Sequence, residues 1–200
     1  MKKLLIAVAC SLLVALTISG VWGARAITQR KPTQVTEMTN FSLAQNMSMR
    51  NMAMQSDLIV IGQCVGTQTS WVNRGIVTLA TVRVSEALKG APSSEITVML
   101  PGGIDASRKI PVSMNFPGAP RMQVDEEVAL FLKPLGINNS YGIMGYSQGK
   151  LSIVQNDQGQ KMVSQDTTKV QLKTSTGVMR GTLRTAPLTQ FKEQIKEYLR

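Results

Sequence analysis

The chain has 200 residues and a formal net charge of +10, and it contains two cysteines and no histidine. The absence of histidine excludes the usual serine-histidine-acid hydrolases and the common histidine-ligated zinc sites. A basic chain favours anionic partners. Nucleic acid is not expected among them, because the N-terminal pattern described next predicts export and because aromatic residues, at 4% of the chain, are few for a base-stacking platform.

The N-terminal segment has the pattern of an export signal. Lys2 and Lys3 precede an apolar run over residues 4–18, and the Ala-Arg-Ala sequence at 24–26 fits a small-residue cleavage site. The pattern predicts a signal peptide over residues 1–26, although residues 4–24 together are just long enough for an N-terminal membrane anchor. Either alternative predicts an exported protein, which is extracellular, periplasmic or on the outer face of the cytoplasmic membrane.

A polar linker is predicted over residues 27–40, and a single domain is predicted over residues 41–200. If Cys10 is removed with the leader, Cys64 is the only remaining cysteine, so we expect no disulfide within this domain. Cys64 lies in a β-rich run. A buried small apolar side chain is its expected role, with a reactive or intermolecular thiol as the alternative.

Short β-rich runs separated by turns predict a mainly β domain, built as a small OB-like closed or nearly closed barrel. A helix is predicted ahead of the strands over Phe41–Gln55, capped by Ser42, and an amphipathic helix is predicted after Pro187. The strands predicted between these helices are Leu58–Val65 with a bulge at Gly62, Ile76–Val84, Ile96–Leu100, Val128–Leu132, Tyr141–Tyr146, Lys150–Val154 and Lys161–Val163.

Three segments are predicted to be irregular. Trp71–Gly75 is predicted as a loop, and Ile104–Asp125, which is rich in proline, as an ordered surface excursion with one short strand near Val112. Gln165–Thr185 is polar and basic, and it is predicted as a loose loop or as a hairpin around Gly177. Because long irregular segments tend to carry function, Pro101–Met122 and Gln165–Thr185 are the predicted contact surfaces.

One stretch matches two active-site serine motifs. Residues 145–149, Gly-Tyr-Ser-Gln-Gly, fit G-x-S-x-G, and Ser147 also begins the serine–lysine pattern S-x-x-K with Lys150. The first motif lacks a histidine to take the serine proton. The S-x-x-K pattern requires its serine at the start of a helix. Here the pattern contains Gly149, and the residues on either side of it are typical of strands. We therefore interpret the stretch as a glycine-rich bend between two strands, and we predict no catalytic residue and no enzyme activity.

Candidate metal ligands are also few. Residues 125–127, Asp-Glu-Glu, are interpreted as a solvated turn, with a calcium contact as the alternative. Four methionines over Met47–Met54 offer thioethers that suit Cu(I) or silver. However, Met49 and Met52 fit the apolar stripe of the predicted helix, so core packing or an adhesive helix face is favoured and Cu(I) binding is the alternative. No metal or cofactor site is predicted.

Three stretches carry a family resemblance: Ser-Asp before an apolar strand and glycine over 56–62, a strand leading to Lys-Gly over 82–90, and a final core strand over 125–132. Together they resemble the netrin-like domain, the OB-type barrel of the tissue inhibitors of metalloproteinases. The chain is also similar to a group of uncharacterised bacterial exported proteins that share this block, the Gln148-Gly149 return and a closing Leu-x-x-Phe helix, here Leu188 to Phe191.

The resemblance implies the barrel scaffold but not the inhibitor function. Inhibitors of that family chelate the protease zinc with an N-terminal cysteine, and no cysteine lies near a predicted mature N-terminus here. The usual glycine before the last core strand is replaced by Asp125. The sequence predicts an exported, non-enzymatic binding protein whose partner is a protein or an anionic envelope component. The alternative is an inhibitor or accessory protein of an exported protease, and membrane contact is expected only through an uncleaved N-terminus.

Overall fold

The structure is a computed structural model that describes residues 42–137 and 139–200, which form a mainly β fold with two short helices. The predicted signal peptide or anchor over residues 1–26 and the predicted linker over residues 27–40 lie outside the described residues. In the part of the chain that the structure describes, neither helix is long and apolar enough to cross a bilayer.

The elements follow one another in a long series of strands with one helix near each end. The strands are β1 (Ser42–Gln45), β2 (Leu58–Val72), β3 (Gly75–Lys89), β4 (Glu95–Pro101), β5 (Gly103–Asp105), β6 (Val112–Met114), β7 (Glu127–Pro134), β8 (Ser140–Ile143), β9 (Lys150–Gln155), β10 (Lys161–Asp166), β11 (Val170–Thr174), β12 (Gly177–Arg180) and β13 (Leu183–Pro187). The helices are α1 (Met49–Gln55) and α2 (Leu188–Tyr198), and a 3-10 turn covers Tyr146–Gly149.

Strand pairing closes part of the main sheet into a ring. The sheet has the order β13-β10-β9-β7-β2-β3-β4-β8, and β8 also pairs with β7. The strands β7, β2, β3, β4 and β8 are therefore linked in a circuit, which β9, β10 and β13 extend beyond β7. The short contact between β4 and β8 is parallel, and the other pairs of this sheet are antiparallel.

The long hairpin of β2 and β3 explains one wrong boundary in the sequence predictions. The predicted loop Trp71–Gly75 shrinks to two residues, because both strands continue to the turn. Asn73 takes the left-handed conformation there, at φ 54°, which asparagine tolerates better than most residues. The bulge predicted at Gly62 is confirmed by a register shift, and a Cβ at this position would overlap the carbonyl oxygen of Arg83.

Two apolar clusters lie on opposite faces of β2 and β7, because successive side chains of a strand alternate between faces. Inside the ring are Leu58, Val60, Cys64, Ala80, Val82, Ile96, Val98, Leu100, Met122, Val128, Leu130 and Leu132. On the other face, the two helices cover a second cluster of Met52, Ala53, Ile59, Ile61, Ala129, Phe131, Leu151, Ile153, Val163, Phe191 and Ile195. The predicted C-terminal helix is confirmed, and its apolar stripe lies on this second cluster.

The predicted N-terminal helix is wrong in its first half. Residues 42–45 form β1, which pairs in parallel with β11, and α1 begins only at Met49. The cap is Ser48, not Ser42, and its Oγ accepts a hydrogen bond from the Asn51 N–H at 3.1 Å. A serine at this position ends the extended segment and satisfies one of the free amides of the first helical turn.

The segments Ile104–Asp125 and Gln165–Thr185 both contain the short strands that the sequence analysis gave as a possibility. The strand expected near Val112 is β6, which pairs with β5. The hairpin alternative for Gln165–Thr185 is confirmed, since β11 and β12 pair around Gly177. The remainder of the first segment stays irregular.

Candidate functional site

The two segments predicted as contact surfaces meet across an open cleft of about 570 Å³. One wall is the irregular stretch of residues 115–121, and the floor is formed by β9 and β10. The turn between β10 and β11 closes the far end. This volume lies within the range of small-molecule sites. The polar residues that line the cleft are Asn115, Arg121, Ser147, Lys150, Ser152, Ser164, Asp166 and Lys169.

Local sequence fixes the wall of the cleft against the body of the fold. The Tyr146 hydroxyl donates a hydrogen bond to the carbonyl oxygen of Pro117 at 3.1 Å. Gly118 has φ +65°, and a Cβ there would lie only 2.6 Å from Cγ2 of Val170, so glycine permits the close approach. Pro117 and Pro120 restrict the backbone on either side of it.

An ion pair with little solvent exposure forms part of the floor. Lys150 Nζ lies 2.5 Å from Glu126 Oε1 and 3.1 Å from Ser152 Oγ, and the serine hydroxyl donates to the same carboxylate oxygen at 2.7 Å. The side chains of Lys150 and Glu126 are 14% and 21% exposed, so salt screens this pair less than a surface pair. An ammonium has three N–H donors, and these contacts use two, which leaves one for a ligand.

The other charged groups give the cleft an excess of positive charge. Arg121 on the wall and Lys169 at the far end form no ion pair with a carboxylate of residues 42–137 or 139–200. Asp166 is the one acidic residue in the described lining. Its Oδ1 accepts hydrogen bonds from the Thr168 hydroxyl at 2.6 Å and the Thr168 N–H at 2.9 Å, and these bonds lower the pKa of its carboxyl. The cleft is therefore suited to an anion.

Ser147, the serine of the two active-site-like motifs, lies at the edge of this cleft. It belongs to the 3-10 turn between β8 and β9, which confirms the interpretation of a bend between strands. The residue is 8% exposed, and its Oγ has no hydrogen-bond partner among the described residues. Lys150 is bound to Glu126 and Ser152 instead. The serine and lysine of the pattern are thus not joined by a hydrogen bond.

The acidic cluster at residues 125–127 is divided between two partners. Glu126 binds Lys150, and Glu127 binds Lys161 at 2.7 Å. Asp125 is exposed in a turn, as that interpretation expects, but the side chain of Glu126 is only 21% exposed because it is paired with Lys150. In the described part of the chain, no three acidic or cysteine side chains come together as metal ligands.

The sulfur-bearing side chains mostly pack in the interior. Met52 is fully buried, and Met47 and Met49 pack against the same cluster, which confirms the packing interpretation, while Cu(I) binding stays a hypothesis. Met54 is exposed. Cys64 is fully buried, as predicted, and its burial raises the pKa of the thiol.

A second polar cluster surrounds Asp105 near the tip of the β2–β3 hairpin. Its Oδ1 accepts hydrogen bonds from the hydroxyl and the N–H of Ser107, at 2.6 and 3.0 Å. Its Oδ2 accepts from Trp71 Nε1 at 2.8 Å and from Arg108 Nε at 3.1 Å. The arginine also stacks 4.9 Å from the centre of the tryptophan ring. These hydrogen bonds, that of the Ser107 hydroxyl first, hold the pKa of Asp105 well below its usual range.

We expect Asp105→Asn to reduce the loss of stability in acid. A carboxyl whose pKa is lower in the folded state stabilises the fold above its unfolded pKa of about 4, and this contribution is lost as the pH falls. The free energy of unfolding, measured by denaturant titration from pH 6 to pH 2, should therefore fall less steeply in the variant. Asp157→Asn, at an exposed position, is the matched control. Parallel curves for wild type and Asp105→Asn would contradict the expectation.

No protein-family model matches the chain, and no match is found among curated proteins. The geometry of the cleft is therefore the basis for assigning a function.

Sequence reasoning located the two segments of the cleft but not the side chains that act together in it. Arg121 and Lys169 belong to the predicted contact surfaces, and their charge in irregular segments was the available signal. Lys150 and Ser164 had no such signal, because they lie in strands and face the cleft only through the register of β9 and β10.

Proposed function

We propose that this chain is an exported, non-enzymatic binding protein whose ligand is anionic and occupies the cleft between residues 115–121 and strands β9 and β10. The observation that carries the proposal is the pair of cations, Arg121 and Lys169, which line the cleft without a carboxylate partner among the described residues. Unpaired cations in a concave site attract anions and give charge-assisted hydrogen bonds to them.

The proposal includes export and a place in the cell envelope or outside the cell. Its support is the signal-like pattern of residues 1–26 and the basic composition, which favours an anionic envelope component or an acidic protein segment as the partner.

We also propose that the scaffold is a netrin-like, OB-type barrel. The support is the circuit of five strands, β7-β2-β3-β4-β8, with an apolar cluster inside it. A five-stranded, partly open barrel is the form that OB domains take, and such scaffolds bind ligands on one face and with their loops. The inhibitor alternative has less support, because the family's inhibitors need an accessible cysteine for zinc and Cys64 is fully buried.

Titration of the full chain with inorganic phosphate and with citrate, followed by calorimetry, tests the proposed function. We expect saturable binding that weakens with salt, and a loss of about tenfold or more in affinity for Arg121→Gln and for Lys169→Gln. Arg74→Gln, which removes an exposed cation that does not line the cleft, is the matched control. Absence of binding, or an equal loss in all three variants, would refute the cleft as an anion site.

A separate assay addresses the enzyme alternative. Ser147 lines the cleft, and its Oγ has no hydrogen-bond partner among the described residues, so Ser147→Ala tests whether this hydroxyl performs chemistry. Hydrolysis of a simple ester by the full chain that disappears in Ser147→Ala would replace the binding function with a catalytic one.

A further inference from the structure

A second cavity of about 360 Å³ adjoins the cleft. Asn115, Pro120 and Arg121 line both spaces, so the two are separated only by this part of the wall. The remaining lining of the second cavity combines five larger apolar side chains with Thr78, Ser113 and two glycines. Its larger members are Leu100, Pro101, Ile104, Met114 and Met122.

Arg121 stands at the boundary between the cationic cleft and the second cavity. Its guanidinium donates one hydrogen bond to Asn115 Oδ1, at 2.6 Å, and forms no ion pair with a carboxylate of the described chain. The side chain is exposed and long, and most of its five N–H donors remain available to a ligand. One residue can therefore hold the charged end of a molecule whose other end enters the neighbouring cavity.

Ile104 supports an apolar occupant of the second cavity. It lies on β5, lines the cavity and is 60% exposed. A large aliphatic side chain exposed at the edge of a concave apolar space gains stability when a ligand covers it. The pairing of β5 with β6 holds it in place.

Resting on the proposed function, we infer that the ligand is a single anionic amphiphile, with its oxyanion in the cleft and its apolar chain in the second cavity. The head group is of the phosphate type. Arg121, Lys169 and the free N–H of Lys150 offer more donors than the two oxygens of a carboxylate can use, whereas a phosphate presents three or four oxygens. The cleft thus offers donors to the oxyanion, and the adjoining second cavity offers space and apolar side chains to the chain of the same ligand.

The test measures how affinity depends on chain length. The full chain is titrated with inorganic phosphate and with butyl, hexyl and octyl phosphate below their micelle concentrations, and octanoate is compared with octyl phosphate. We expect affinity to rise by up to about fourfold for each methylene that enters the second cavity, and octyl phosphate to bind more tightly than octanoate.

Variants on the two sides of the boundary separate the contributions. Arg121→Gln should weaken every phosphate probe by a similar factor. Ile104→Asn should flatten the dependence on chain length and leave inorganic phosphate unaffected. Ile110→Asn is the matched control, because Ile110 is 78% exposed on the same excursion and lines neither cavity.

Each alternative outcome has a distinct meaning. Equal affinity for inorganic phosphate and octyl phosphate would overturn the amphiphile and leave the anion-binding function in place. Binding of none of the probes would overturn both. A chain-length dependence that is the same in Ile104→Asn as in wild type would indicate non-specific adsorption and overturn the inference. So would binding to anionic phospholipid vesicles without binding to the monomeric alkyl phosphates.

Discussion

Replacing Gln148 with alanine is expected to lower the free energy of unfolding by about 2–4 kcal/mol. The residue is 2% exposed, and its side chain makes three hydrogen bonds to the backbone. Oε1 accepts from the Met47 N–H at 2.9 Å, and Nε2 donates to the carbonyl oxygens of Gln45 and Gly145, both at 2.8 Å. Alanine would leave the Met47 N–H and the Gln45 carbonyl oxygen without this partner, whereas the Gly145 carbonyl oxygen would keep the backbone N–H of residue 148, at 3.2 Å. Denaturant titration measures the change.

The effect of Gln148→Ala should be concentrated where the glutamine joins β1 and α1 to the main sheet. Hydrogen exchange at the Met47 amide should become faster, while amides of β2 and β3 should change only through the global loss of stability. Gln158→Ala, at an exposed glutamine, is the matched control and should alter the free energy of unfolding by less than about 0.5 kcal/mol. Equal stability of the two variants would mean that the side chain does not connect these segments.

Local patterns predict the C-terminal helix and most strands, but not β1, β5 or β13, and the predicted strand Tyr141–Tyr146 extends three residues beyond β8. The apolar run of β2 was readable because Val60 and Ile61 face opposite sides of a sheet that is covered on both. The spacing of Phe191 and Ile195 likewise indicated one buried face of a helix. These features depend on residues that are close together in the sequence.

The first strand and the cleft could not be predicted in this way, because both depend on contacts between distant segments. Residues 42–45 have no strong preference for a strand and become one by pairing with β11. The side chain of Gln148 holds the segment between β1 and α1 through hydrogen bonds to Gln45 and Met47. In the sequence, Gln148 is only one residue of a glycine-rich bend. The apposition of Arg121 and Lys169 likewise arises when the excursion before β7 folds over β9 and β10. The residue pattern within the excursion, or within β9 and β10, does not predict that these segments come together.

Phe131→Ala is expected to have the largest effect on stability, a loss of about 3–5 kcal/mol in the free energy of unfolding. Phe131 is fully buried on β7, and its ring meets that of Phe191 on α2 edge to face, with centroids 6.1 Å apart and an interplanar angle of 87°. Alanine would open a cavity between the sheet and the helix. Denaturant titration should show a lower midpoint with an unchanged slope if unfolding remains two-state.

The comparison with Phe191→Ala and with the double variant isolates the contact between helix and sheet. If the rings stabilise each other, the loss of stability in the double variant should be smaller than the sum of the two single losses by about 0.5–1.5 kcal/mol. Lys192 Nζ lies 2.5 Å from Glu86 Oε2, and none of the three variants removes either group, so we expect α2 to stay attached to β3 and to remain helical by circular dichroism. Phe116→Ala, which truncates a 42% exposed phenylalanine, is the matched control and should cost far less. A similar loss in Phe116→Ala and Phe131→Ala would contradict the placement of the core between β7 and α2.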